Sequence, residues 1–217
     1  MSSESAVVSL RQEPFLLLIL SSPSGAGKTT LSARLRARFP GLRFSVSHTT
    51  RKPRANETDG REYHFVERVS FERMVQEDRF VEWAEVHGNL YGTSEGEIER
   101  ARTSSDGVLF DVDYQGARQI RVRYPDAVTV FILPPSLQEL ERRLRSRASE
   151  DEPTIRRRLS NALGEIEHYG FFDYVVVNDD LQDASSRLES IVIAERSRRV
   201  RRAALAEGML RDARAKR

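Results

Sequence analysis

Cysteine is absent from the 217-residue sequence. That excludes disulfide-stapled folds and Cys-ligated zinc or iron–sulfur centres. Long apolar runs are absent too. The longest, Phe15–Leu20, spans six residues, whereas a membrane helix needs about 20 and a signal peptide's apolar stretch about 7–15. Neither is expected, and the simplest reading is a cytoplasmic protein. Lysine is almost absent: 32 Arg stand against Lys28, Lys52 and Lys216. A lysine in a special place is therefore informative, because a compact ammonium and a planar guanidinium are not interchangeable.

Charge of one sign is scarce overall, with a net of +2, but unevenly spread. Residues 196–217 carry nine basic and two acidic side chains, leaving 26 basic and 31 acidic elsewhere. A basic tail can meet nucleic acid or anionic lipid. No aromatic side chain interleaves this one to stack on bases. It reads as a solvated helical terminus, and neither a nucleic-acid nor a membrane partner is expected. Monomer and homo-oligomer are equally open.

What is present is enough apolar material, 39% of residues, for a real core. Phe15–Ser21 is a continuous apolar run, the pattern of a strand buried on both faces. Leu31, Leu35 and Phe39 then recur at helical spacing, and Pro40-Gly41 ends that helix. Further strands are expected at Leu42–Val46, Tyr63–Val66, Phe80–Val86, Val108–Val112, Ala127–Leu133 and Tyr174–Val177. Residues 48–62 read as a loop. Helices are expected at 70–78 with Ser70 as cap, at 94–104 with Ser94 as cap and Glu97 completing a capping box, at 114–123 and at 136–147. Two more follow, one from Pro153 to about Tyr169 and one long terminal helix from Leu181 to about Leu205. Strands alternating with helices give an α/β class with a parallel sheet between helical layers. Residues 48–92 break the rhythm, and Phe65, Phe71, Phe80, Trp83 and Tyr91 could give them a small core of their own.

The segment Ser21–Thr30, SSPSGAGKTT, joins the first strand to the first helix with the spacing of a phosphate-binding loop, Ser22 standing at the first glycine position. Gly25 and Gly27 let successive N–H groups turn toward one point. The helix adds its N-terminal amides and dipole. Lys28 supplies a compact cation for β- and γ-phosphates, and the Thr29 hydroxyl can ligand Mg²⁺. The candidate ATP cradle is Ser22, Pro23, Ser24, Gly25, Ala26, Gly27, Lys28, Thr29 and Thr30. An acidic residue at the end of a neighbouring apolar strand usually completes such a site, and Asp111 fits. Arg51 and Arg54, three apart in SVSHTTRKPR, offer guanidinium forks that match phosphate oxygens.

These motifs, followed by GREYHF, FVEWAEVHGNLYGTS, LFDVDYQGA, ILPPS and VVVNDD, resemble the guanylate kinase family in order and separation, from about Leu16 to Arg196. The resemblance implies a P-loop three-layer fold with an inserted nucleoside-monophosphate-binding subdomain and a helical lid. It implies transfer of phosphate from ATP to GMP with Mg²⁺. The division expected is a flexible leader (1–14), a core (15–47 and 94–205, lid about 137–158), a GMP-binding insertion (48–93) and a basic tail (206–217). By motif position, Arg51, Arg54, Tyr63 and Tyr91 hold the GMP phosphate, while Ser47, Glu82, Thr93 and Asp113 surround guanine. Glu57 and Asp111 complete the substrate side, and Asp111 joins Thr29 as metal ligand. Arg143, Arg147 and Arg158 reach the phosphates on closure, and Asn178 contacts the adenine edge. Ala148 stands where the family commonly has Gly, which implies a stiffer hinge.

Guanine chemistry supports the Glu82 role separately. N1–H and the 2-amino group are neighbouring donors that a carboxylate accepts together, and O6 takes a hydroxyl proton from Ser47 or Thr93. Adenine would leave the carboxylate facing its N1 lone pair, a mismatch worth on the order of 10⁴-fold. Read alone, Glu82 would be a surface carboxylate beside Trp83. Two alternatives stand beside the guanylate kinase reading: a related kinase with another small phosphate acceptor, and a protein-binding scaffold of the same fold. Scaffolds of that kind lose the phosphate loop, whereas Gly25, Gly27, Lys28 and Thr29 are all here.

Overall fold

The computed structural model describes residues 13–54, 56–86, 88–147 and 151–215. Its central strand is β1 (Leu16–Ser21), buried along its whole length. Parallel to it lie β7 (Gly107–Asp111) on one side and β8 (Val128–Leu133) on the other. The edges are β2 (Leu42–Phe44) and β9 (Tyr174–Val177), giving the order β2-β7-β1-β8-β9. Alternate side chains leave a strand on opposite faces. Leu16, Leu18 and Leu20 pack with Leu31 and Leu35 of α1 (Lys28–Arg38) and Leu188 of α7 (Leu181–Arg196). Leu17 and Ile19 pack with Ile98 of α3 (Glu95–Ser104) and Ile120 of α4 (Tyr114–Arg123). Helices on both faces explain why the run is apolar without interruption.

A second sheet has the order β4-β3-β6-β5. It comprises β3 (His48–Thr49), β4 (His64–Phe65), β5 (Phe80–Val86) and β6 (Asn89–Ser94). Helix α2 (Arg68–Gln76) covers it, burying Phe71 against Phe80 and Leu90. The expectation of a plain loop over 48–62 misses β3, and β6 was not foreseen at all. Gly92 sits in the middle of β6, where an added Cβ would meet the Glu82 carbonyl and the Trp83 Cβ at 2.9 Å each. A residue that usually interrupts strands is here what lets two strands approach. The resulting register sets Glu82 opposite Thr93, and Thr49 opposite Tyr91.

Helices α5 (Leu137–Arg147) and α6 (Glu152–Ile166) pair through Leu140, Leu144, Leu159 and Ala162. Ser136 caps α5 by accepting from the Glu139 amide at 3.1 Å. The Ala148 substitution lies outside the described residues, as do residues 1–12 of the expected leader. Three local expectations are corrected. Ser94 is the N-cap of α3 but makes no side-chain cap bond, and Glu97 turns inward instead of closing a capping box. Helix α2 starts two residues before Ser70, with Glu67 as its N-cap. The long terminal helix is two: α7 stops at Arg196, with Ser197 as its C-cap, and α8 (Arg199–Ala215) resumes two residues on.

Candidate active site

The phosphate loop follows β1 directly, and Gly27 is the N-cap of α1. Gly25 and Gly27 have φ of +94° and +98°, left-handed values that strain other residues. A Cβ on Gly27 would stand 2.2 Å from Asn178 Nδ2. Ser22 keeps a negative φ, so its backbone does not call for the glycine usual there. The loop closes with the Ala26 amide on the Pro23 carbonyl at 3.1 Å. Asn178 is 5% exposed, and its amide donates to the Ala26 carbonyl at 2.7 Å, so that donor is committed to the loop. Lys28 pairs with Asp111 and donates to the Val112 carbonyl at 3.1 Å. Thr29 and Thr30 are exposed at the start of α1.

The α5–α6 pair rests on this loop. Arg143 is held by Glu139 at 2.7 Å and by the Asn178 carbonyl at 3.1 Å. Arg158 reaches to 3.5 Å from Ser24 Oγ. Glu165 Oε2 accepts the Ser24 amide at 3.1 Å. Arg147 ends α5, and its side chain lies outside the described residues.

Across the cleft, Glu82 is only 6% exposed, so the surface reading of this carboxylate is wrong. Burial pushes its carboxyl up to about 7, while bonds to the Thr93 hydroxyl and amide pull the other way and Asp113 adds to the rise. No cation pairs with it among the described residues. Ser47 Oγ lies 3.1 Å from Thr93 Oγ1, which makes a polar chain Ser47–Thr93–Glu82. Asp113 caps α4, its carboxylate accepting the Gly116 amide at 2.8 Å. Gln119 of α4 clamps the Trp83 backbone with both halves of its amide, at 3.0 and 2.9 Å.

The phosphate end of this second site is built on Arg51. Glu57 accepts twice from Arg51 Nη2, at 2.8 and 2.9 Å, and also takes the Arg54 amide at 2.8 Å. The pairing holds the Glu57 carboxyl below its ordinary range and raises the guanidinium. Arg51 stacks over Tyr63 at 5.4 Å, and the Tyr63 and Tyr91 rings meet edge-on at 5.9 Å. Burial raises the Tyr63 hydroxyl. The Arg54 side chain is exposed. One cleft of about 1100 Å³ is lined by Thr29, Asp111, Glu57 and Tyr63 among others.

The family model described as guanylate kinase matches residues 16–195. The chain belongs to the guanylate kinase family. It is 51% identical to the guanylate kinase of Myxococcus xanthus over 87% of this chain and 90% of that one. It is equally identical to the guanylate kinase of Aromatoleum aromaticum, over 85% and 91%. A crystal structure of guanylate kinase from Anaplasma phagocytophilum superposes with a TM-score of 0.70 at 34% identity, covering 88% of this chain and 90% of that one. The parallel core with its phosphate loop is thus the P-loop fold of guanylate kinases.

Set against the guanylate kinase motifs, Glu165, Gln119 and the pairing of buried Glu97 with His64 are contributions that sequence reasoning missed. Glu97 is 2% exposed, and its Oε1 lies 3.2 Å from His64 Nε2, tying the second sheet to the core. Glu97, Gln119 and Glu165 each sit in a helix rich in charge, and nothing in their neighbourhoods sets them apart before the helices are packed.

Proposed function

We infer that the guanylate kinase reaction of this chain runs across the cleft between the phosphate loop and the second sheet. The chain is a nucleoside monophosphate kinase, an ATP:GMP phosphotransferase that gives ADP and GDP. Residues 48–93 bind GMP, and residues 15–47 with 94–205 bind ATP, with a lid at about 137–158. ATP lies on the loop from Ser22 to Thr30, its β- and γ-phosphates against Lys28 and the α1 amides. Asn178 lines the adenine side. GMP lies with its phosphate on Arg51, Arg54, Tyr63 and Tyr91, Glu57 steadying the arginine. Its base faces Ser47, Glu82, Thr93 and Asp113.

The reading of the base rests on one observation, the buried Glu82 with no cation partner among the described residues. A carboxylate is costly to bury unless something donates to it. Guanine supplies two adjacent donors. Thr93 already donates to Glu82, which leaves the Ser47 hydroxyl to turn toward O6. The phosphate of GMP is itself the nucleophile, so no strong general base is required. Its oxygen attacks the γ-phosphorus in line and ADP leaves without a covalent enzyme intermediate. Lys28, Arg143, Arg147 and Arg158 stabilise the charge spread over the transferring group. Closure of the lid excludes water and so prevents idle hydrolysis of ATP.

Mg²⁺ fits the residues at hand. It takes oxygen ligands and is usually held by one or two protein oxygens plus substrate phosphates. The Thr29 hydroxyl and the Asp111 carboxylate are hard oxygen donors lining the same cleft, and they are the residues that would hold it. When bound it would neutralise charge between the β- and γ-phosphates. No helix among the described residues is long and apolar enough to cross a membrane. We place the enzyme in the cytoplasm, with its soluble nucleotide substrates. A coupled assay of ADP release across GMP, dGMP, AMP, CMP and UMP tests the reading. GMP should be used best and AMP worst, and equal use of AMP would refute the assignment of Glu82.

A further inference from the structure

The α6 helix presents two opposite charges to the same loop residue. Glu165 Oε2 accepts the Ser24 amide at 3.1 Å, and Arg158 Nη2 stands 3.5 Å from the Ser24 hydroxyl. Seven residues separate them, close to two helical turns, so both side chains share one face of α6. A carboxylate thus sits on a phosphate-loop amide, within electrostatic reach of Lys28. Burial raises the Glu165 carboxyl, while the Ser24 amide and Lys28 favour its ionised form. Those are the groups that make such a loop bind anions.

We propose that Glu165 is a positioning residue that holds the Ser24 amide in the nucleotide-free enzyme and surrenders it to the phosphates of ATP, so that nucleotide arrival shifts α6 and brings Arg158 to bear. This rests on the reading of Ser22–Thr30 as the ATP cradle. The physical reason is like-charge repulsion. A triphosphate brings several negative charges into a cradle that already holds the carboxylates of Glu165 and Asp111, and the ammonium of Lys28 cannot satisfy them all. The Glu165 carboxylate gives way, and whatever moves it also moves the guanidinium two turns away on the same rigid helix. A permanent strut would behave differently, because it would keep the amide bond throughout and help nucleotide binding.

The test is calorimetric titration of ADP and a non-hydrolysable ATP analogue into the full chain and into Glu165→Gln. Glutamine keeps the length and one acceptor oxygen but not the charge. The expected result is tighter binding by E165Q, on the order of fivefold, with a lower KM for ATP and an unchanged KM for GMP. Tight binding by the unmodified chain with equal or weaker binding by E165Q overturns this inference alone. An unmodified chain that binds no ADP overturns the cradle reading and this inference with it. Should the variant fold poorly, the carboxyl ¹³C resonance of Glu165 in the unmodified chain decides. It should move on saturation with the ATP analogue, and a stationary signal sinks the proposal.

Discussion

Glu82→Gln should make the protein more stable and the enzyme far worse. In the folded chain the Glu82 carboxyl is raised from its ordinary 4.5 to about 7, chiefly by burial. A difference of that size corresponds to about 3 kcal/mol between the two protonation states. The folded state therefore holds a proton that the unfolded state has released between those two values. The contribution is neutral below the ordinary carboxylate range, becomes a growing penalty as pH rises from there to about 7, and levels off above it. Glutamine removes the penalty while still accepting from Thr93. Chemical denaturation of the nucleotide-free proteins at pH 8 should show E82Q more stable by about 2–3 kcal/mol, and at pH 4 the two should converge. Activity moves the other way. Glutamine has one acceptor and directs an NH₂ at a guanine donor. Losing one charge-assisted bond and leaving a donor unpaired removes about 3–5 kcal/mol, or roughly 10²–10⁴-fold in kcat/KM for GMP. In the unmodified enzyme KM for GMP should rise as pH falls below about 7, because the protonated carboxyl cannot accept both donors. If E82Q matched the unmodified chain in stability at pH 8, the carboxylate is not desolvated as argued. If kcat/KM for GMP fell less than tenfold, guanine is recognised elsewhere.

Three further outcomes are expected. Lys28→Ala should lower kcat by orders of magnitude while GMP still binds by calorimetry, since Lys28 belongs to the proposed ATP cradle; normal turnover would remove it from the mechanism. Gly27→Ala places a methyl 2.2 Å from Asn178 Nδ2 at a φ of +98°, so thermal unfolding should report a loss of about 1–3 kcal/mol together with weaker ADP binding. Gln119→Ala deletes both bonds to the Trp83 backbone; it should cost about 1–2 kcal/mol of stability and raise KM for GMP more than KM for ATP, because Trp83 adjoins Glu82 on β5, and equal changes in both would show that the clamp does not position the guanine site.

How far the molecule could be read in advance follows from where each residue's constraint comes from. The β1 run is legible because both faces of one short segment are buried, so every residue carries the same signal. The phosphate loop is legible for a local reason too. Gly25 and Gly27 must take left-handed φ, and the lysine that follows is one of three in the chain. By contrast β6 hides, because its pairing is set by Gly92 meeting β5 across space rather than by alternation along itself. The break at Ser197 hides because no Gly or Pro marks it in the sequence. Glu97 had the spacing of a capping box, but its carboxylate turns inward to His64 of the second sheet, a partner that the helix sequence alone does not show, and to Arg100. The role of Glu82 was visible only as part of a motif, since nothing local tells a buried glutamate from an exposed one beside a tryptophan.

Three cations of the site share a feature that bears on how binding energy is used. Lys28 is paired with Asp111, Arg51 with Glu57 and Arg143 with Glu139, so each rests on a carboxylate before any nucleotide arrives. Bare, these cations facing a common cleft would repel one another and disorder the loops that carry them. Paired, they are held in place, and the pairs are weak enough to exchange because all of them are partly exposed to solvent screening. A phosphate with two charges competes well for a guanidinium fork or an ammonium against a carboxylate with one. What nucleotide binding contributes is therefore the difference between two anions, not the whole attraction of each cation. That keeps ground-state affinity moderate and reserves the larger electrostatic gain for the transition state, where charge on the transferring group is spread over three oxygens within reach of several cations.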